Sequence, residues 1–225
     1  GDGMSDYPVK VLGGRTPLEA AEIPNMREIA RSGQLGRIRT VPAGMPAGSD
    51  VATLSVLGYD PREFYSGRAP LEAAKLGIEL GPDEVAFRCN LISVEGERIA
   101  DYAGGHITSE EARELVASLS RHLSTPTVKF YPGIGYRHIC VVKGAAIVRA
   151  DCTPPHDVTG QPVKDHLPRG DGAGLLIDLM QRSRGVLQNH EVNKARGSRG
   201  QRPAPGISSL SAAITALRAV FGSMP

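Results

Sequence analysis

The stretch Pro46-Ala47-Gly48-Ser49-Asp50-Val51-Ala52-Thr53-Leu54-Ser55-Val56-Leu57-Gly58-Tyr59-Asp60-Pro61 sets the frame for the rest of the chain. Gly48 lets backbone approach closely, and Ser49 and Asp50 stand where a helix starts. An apolar turn follows, and Gly58 with Pro61 stops it. Such a start presents one hydroxyl at the positive end of a helix, where an alkoxide or a phosphate ester is favoured. Ser49 is therefore the first candidate for a nucleophile that accepts a phosphoryl group. Ser and Asp are equally ordinary helix caps, and the two roles are compatible.

Composition bounds the rest. The chain has 225 residues, 40% hydrophobic, enough to bury a sizeable core in one large domain or two small ones. Net charge is +2, from 26 basic and 24 acidic residues, so no global charge points to nucleic acid or an anionic membrane, and any anion site must be local. Cys89, Cys140 and Cys152 are odd in number and lack paired ligand spacing, which argues against a disulfide framework and a zinc knuckle and suits a reducing cytoplasm. No apolar run reaches the roughly 18 residues that would span a bilayer. The chain opens on Gly1, without methionine or a recognisable leader, and no strand precedes Asp2.

Thr16-Pro17-Leu18-Glu19 is a capping box with proline at the first helical position, and Pro24-Asn25 starts a second helix closed by Gly33. Residues 34–41 alternate apolar and polar side chains and are expected to form a strand leading to the Ser49 loop. From Val85 the pattern changes to a strand (85–94), a Glu95-Gly96-Glu97 turn, a strand (98–102) and a helix opened by the Thr108-Ser109-Glu110-Glu111 capping box. Strands over 127–131 and 137–142 and a helix over 174–187 complete a segment with helices mixed among strands. Residues 197–206 read as a solvated basic linker. No aromatics are interleaved with Arg196, Arg199 and Arg202, which disfavours a nucleic-acid patch. A last helix is expected over 209–221.

Gly48-Ser49-Asp50-Val51-Ala52 with Leu54-Ser55-Val56-Leu57-Gly58-Tyr59-Asp60-Pro61 resembles the archaeal-type cofactor-independent phosphoglycerate mutases of the alkaline phosphatase superfamily. So do Asp2-Gly3-Met4, Asp101-Tyr102-Ala103-Gly104-Gly105-His106-Ile107 and Thr153-Pro154-Pro155-His156-Asp157. The resemblance runs from Gly1 to about Arg196. It implies an α/β fold, a partial alkaline-phosphatase-like core carrying an inserted α+β domain. Residues 1–80 would be the first part of the metal-binding core, 81–190 the inserted substrate-binding domain, and 191–225 a linker and remnant helix of the core.

Arg88, His106, Arg137, His138 and His156 offer hydrogen-bond donors to an anionic substrate. Read alone, each is as ordinary as a structural residue. The resemblance assigns them, with Asp157, to substrate binding, while His156 and Asp157 serve equally well as turn formers. It assigns Asp2 and Ser49 to a divalent metal, Mn2+ or Mg2+, with no 2,3-bisphosphoglycerate needed. The implied reaction interconverts 3-phosphoglycerate and 2-phosphoglycerate through a phosphoserine at Ser49. The family completes its metal set from a second half of the core that the sequence after Arg196 does not supply. Weak metal binding and negligible turnover are therefore expected of these 225 residues alone. Another phosphohydrolase or phosphomutase of the superfamily, and a phosphoglycerate-binding chain without turnover, are the alternatives.

Overall fold

The computed structural model describes residues 4–144, 150–208 and 211–212. Contacts divide the chain into two compact units, Gly1–Tyr65 and Ser66–Pro225. Asp2 and most of the helix expected over 209–221 lie outside the described residues.

The first unit is built from short helices. A 3-10 turn at Lys10–Leu12 precedes α1 (Pro17–Ala20), where Thr16 and Glu19 close both bonds of the capping box. Helix α2 (Pro24–Ser32) ends at Gly33, whose N–H reaches the Ile29 carbonyl. Helix α3 (Ser49–Val56) follows, then α4 (Pro61–Phe64), capped by the Asp60 carboxylate accepting from Arg62 N–H. The strand expected over 34–41 does not form. Leu35 and Ile38 are 81% and 73% exposed, and no described residue offers that segment a ladder partner. Alternation marks which side chains share a face, but a strand exists only against a neighbour.

The second unit is an α+β sandwich. Helix α5 (Arg68–Lys75) leads to β1 (Glu84–Glu95), β2 (Arg98–Asp101), α6 (Ser109–Leu123), β3 (Val128–Ile134) and β4 (Arg137–Lys143). Then come α7 (Ala173–Leu187), α8 (Glu191–Ser198), β5 (Gly206–Ile207) and β6 (Ser211–Ala212). The antiparallel sheet runs β2-β1-β4-β3, and β5 and β6 also pair with β1.

Period-2 alternation along β1 gives the sheet two faces. Val85, Phe87, Cys89 and Leu91 join Cys140 and Val142 of β4 beneath α6 and α7, whose Leu115, Leu119, Leu176 and Leu179 fill the main core. Ala86, Ile139 and Val141 face the other way and pack with Ala69 and Ala73 of α5. Helix α6 starts where Thr108 Oγ1 accepts from Glu111 N–H and the Glu111 carboxylate accepts from Thr108 N–H, and its apolar positions recur along one stripe.

The segment read as a solvated linker is corrected in its second half. Ala204, Gly206 and Ile207 are buried, and Asn193 holds Ala204 through its side-chain amide in both directions. Ser183 Oγ accepts from Ile207 N–H, tying β5 to α7. Of the helix expected over 209–221, the described Ser211 and Ala212 pair with β1 as a strand instead.

Candidate functional site

In the first unit, Ser49 is the first residue of α3, and the cap position belongs to Gly48 in extended backbone. The ordinary N-cap role weighed for Ser49 is therefore taken by its neighbour. Ser49 is exposed, while Asp50 beside it is half-buried and accepts a hydrogen bond from Tyr65 Oη. Gly58 closes the helix in the left-handed conformation that a glycine adopts without strain. Among the described residues, no group of three or more His, Cys, Asp and Glu side chains is gathered as a metal ion would need. Asp2, the other metal ligand that the resemblance implies beside Ser49, lies outside the described residues.

In the second unit, Arg137 opens β4 directly opposite Asn90 of β1. Its guanidinium carbon lies 5.1 Å from the centroid of the Tyr136 ring, and its Nε donates to Tyr136 Oη at 3.2 Å. The remaining N–H groups have no partner among the described residues, so an exposed fork is held over an aromatic face, the form that suits carboxylate or phosphate. Tyr136 meets Tyr102 edge to face at 5.7 Å, and Tyr102 meets His156 in the same way at 6.3 Å. His156 Nε2 lies 3.5 Å from Asp157 Oδ1 on the 3-10 turn Pro155–Asp157. Arg137, His156 and Asp157, far apart in sequence, are thus linked through two tyrosines.

Arg88 is 9% exposed, on the same sheet face as Arg137, and its Nε donates to the Glu72 carboxylate of α5 at 3.2 Å. Between them the Oδ1 atom of Asn90 is buried without a partner. His106 follows β2 at the end of a left-handed run in which Gly104, Gly105 and His106 all have positive φ. It is the one non-glycine with positive φ among the described residues, and it is exposed. Backbone strain of this kind is characteristic of functional positions.

His138 stands apart from the others. It pairs with Cys89 across the ladder and points into the core under α6, 1% exposed. Gly133 N–H donates to its Nδ1 at 3.0 Å, so the neutral ring carries its proton on Nε2, which is buried without an acceptor. Burial pushes its pKa down from 6.5 to about 4, and the same core pushes the Cys89 thiol up to about 12. Cys140 is pushed up as well, by burial and then by the neighbouring Cys89. Expected as a donor to substrate, His138 is shut away from solvent on the helix-covered face.

Sequence reading missed Tyr102 and Tyr136 as the links, Asn90 and Glu72 as the neighbours of Arg88, and the buried Arg196. Strand alternation around Arg88 was a usable signal for Asn90. Nothing local marked the tyrosines or Arg196.

The second unit is an antiparallel α+β sandwich that presents an arginine fork, and the first unit carries an exposed serine that opens a helix. Residues 30–193 match the family described as 2,3-bisphosphoglycerate-independent phosphoglycerate mutase, and the chain belongs to that family. It is 56% identical over 205 residues to the 2,3-bisphosphoglycerate-independent phosphoglycerate mutase of Methanothrix thermoacetophila, covering 91% of this chain and 51% of that protein. The probable mutase of Geobacter sulfurreducens is 49% identical over 215 residues, covering 92% and 53%. Among solved structures, the cofactor-independent phosphoglycerate mutase of Thermoplasma acidophilum aligns with a TM-score of 0.58 at 30% identity, over 94% of this chain and 58% of that one. A protein from Pyrococcus horikoshii aligns with a TM-score of 0.69 at 30% identity, over 95% and 49%. The chain spans about half the length of the curated relatives it matches.

Proposed function

We propose that this chain carries the phosphoryl-accepting serine and the substrate grip of a cofactor-independent phosphoglycerate mutase, a cytoplasmic isomerase of glycolysis and gluconeogenesis. The observation that carries this is that the family match over 30–193 spans Ser49, Arg88, His106, Arg137, His156 and Asp157 together. Among the described residues no helix is long and apolar enough to cross a membrane. The assignment of residues 1–80 and 191–225 to a core and 81–190 to an inserted domain belongs to the same proposal.

In this reading Ser49 Oγ attacks the phosphorus of 3-phosphoglycerate. The bond from phosphorus to O3 breaks and the serine proton ends on O3, leaving phosphoserine and glycerate. After glycerate reorients, O2 attacks the phosphoserine, the bond to Oγ breaks, and the O2 proton returns to Ser49 to give 2-phosphoglycerate. Arg137 holds the carboxylate through the two turns of chemistry, and His106, His156 and Arg88 supply further donors. Asp157, itself anionic, orients His156 rather than meeting the substrate. A divalent cation, Mn2+ or Mg2+, is part of the proposal. Ser49 and Asp2 would hold it, and it would supply positive charge that makes the serine oxygen a better nucleophile.

Calorimetry with 3-phosphoglycerate, with and without Mn2+, tests the grip, and a coupled mutase assay on the same protein tests the serine. Saturable binding that Arg137→Met weakens at least tenfold is the expected result, with any turnover lost in Ser49→Ala. Absence of saturable binding, or turnover that survives Ser49→Ala, overturns the reading.

A further inference from the structure

Arg196 is 1% exposed and charged, and every nitrogen of its guanidinium is used. Nε donates to the Arg202 carbonyl at 3.0 Å, and Nη2 donates to the carbonyls of Gly105 at 2.7 Å and Gly104 at 3.3 Å. Nη1 pairs with the Glu111 carboxylate, which also receives Arg199 Nη2 at 2.6 Å and closes the capping box of α6. From the other side of the same turn, the Asp101 carboxylate accepts from Ala103 N–H at 2.7 Å and Gly105 N–H at 3.1 Å. A Cβ on Gly105 would come within 2.5 Å of the Arg202 carbonyl oxygen, so the turn and the strap after α8 are in direct contact.

What this hub holds is the left-handed run that ends in His106. Its φ of 54° is a conformation L residues with side chains adopt at a cost, and the His106 ring has no hydrogen-bond partner among the described residues that would offset it. The strain is held in place by the groups on either side, and its effect is to stand the imidazole out into solvent.

We propose that Arg196 is a positioning residue: by fixing the carbonyls of Gly104 and Gly105 it aims His106 at the anionic substrate, so the strap after α8 sets substrate affinity without touching substrate. This rests on the phosphoglycerate reading of His106. Arg196→Lys keeps a cation beside Glu111 but cannot reproduce a fork that serves three carbonyls. His106→Gly removes the ring and suits the left-handed backbone. If Arg196 acts through His106, Arg196→Lys weakens 3-phosphoglycerate binding at least tenfold, and the double variant binds no more weakly than His106→Gly alone. The amide and ring resonances of His106 shift in Arg196→Lys while Cys89 and Cys140 stay protected from thiol reagents, which a general loss of structure would not allow.

Unmoved His106 resonances, or losses in affinity that add in the double variant, overturn the proposal. If the parent chain fails to bind 3-phosphoglycerate while the resonances move, the functional reading falls and the coupling of strap to turn stands. Should Arg196→Lys not fold, Glu111→Gln carries the same comparison, because the amide keeps an acceptor for Thr108 N–H but loosens the ion pair that fixes the plane of the guanidinium against the Gly104 and Gly105 carbonyls.

Discussion

His138 makes the second unit acid-sensitive. Its folded pKa of about 4 lies below the ordinary 6.5, so between those values the unfolded chain binds a proton that the folded chain refuses. The stability it allows is fully present above pH 6.5 and is lost as pH falls towards 4. From pH 7 to pH 5 the loss is about 2 kcal/mol, and below pH 4 it levels at about 3 kcal/mol. His138→Asn places an amide oxygen where Nδ1 accepts from Gly133 and cannot titrate. It should cost about 1–3 kcal/mol at pH 7 through lost volume and unpaired amide hydrogens, while flattening the pH 7 to pH 5 slope by about 2 kcal/mol. The chain contains no tryptophan, so urea unfolding is followed by far-UV circular dichroism, with thiol labelling of Cys89 and Cys140 as the probe of this core. Equal losses in parent and variant over that pH range would refute the reasoning.

Thr108→Ala removes one bond of the α6 capping box and should cost about 1 kcal/mol by denaturant unfolding. Glu111→Ala also leaves the buried Arg196 unpaired and should cost about 3–5 kcal/mol in the same experiment. A thiol reagent at pH 8 should find at most Cys152 in the native chain and three thiols after unfolding, since burial holds Cys89 and Cys140 protonated and covered. Gly133→Ala would set a Cβ 2.2 Å from the Arg137 carbonyl oxygen, so it should displace the start of β4 and weaken phosphoglycerate binding in calorimetry even where the chain still folds.

Where a feature is encoded by neighbours in sequence, it was readable. Thr108 and Glu111 announce α6 because the reciprocal bonds span three residues, and the Glu95-Gly96-Glu97 turn announces the β1–β2 hairpin in the same way. Features decided at long range were not. Residues 34–41 alternate as a strand should, yet no partner among the described residues pairs with them. Arg196, read only as a basic residue bordering the 197–206 linker, gave no sign of burial, because its anionic partner Glu111 lies 85 residues earlier in the chain. The motif singles out Ser49 as a candidate, but that Gly48 and not Ser49 takes the cap position is a fact of backbone geometry that composition does not carry.

The fates of Arg137 and His138 show why the motif alone could not assign roles. The two are adjacent on β4, both polar, and both were candidates for the same anion. Strand geometry sends successive side chains to opposite faces, so one of the pair had to enter the core that α6 and α7 cover. The cost of burying an arginine there without a carboxylate is far greater than that of burying a neutral imidazole, which needs only lose its proton. Register therefore sorts them by chemistry. The guanidinium goes out, braced on Tyr136 with most of its fork open, and the imidazole goes in, held neutral by its surroundings and tied to Gly133. A shift of β4 by one residue against β1 would invert this, hiding the cation and exposing the apolar face. The Cys89–His138 and Asn90–Arg137 pairings are thus what turn the Arg137 guanidinium out of the core and the His138 ring into it.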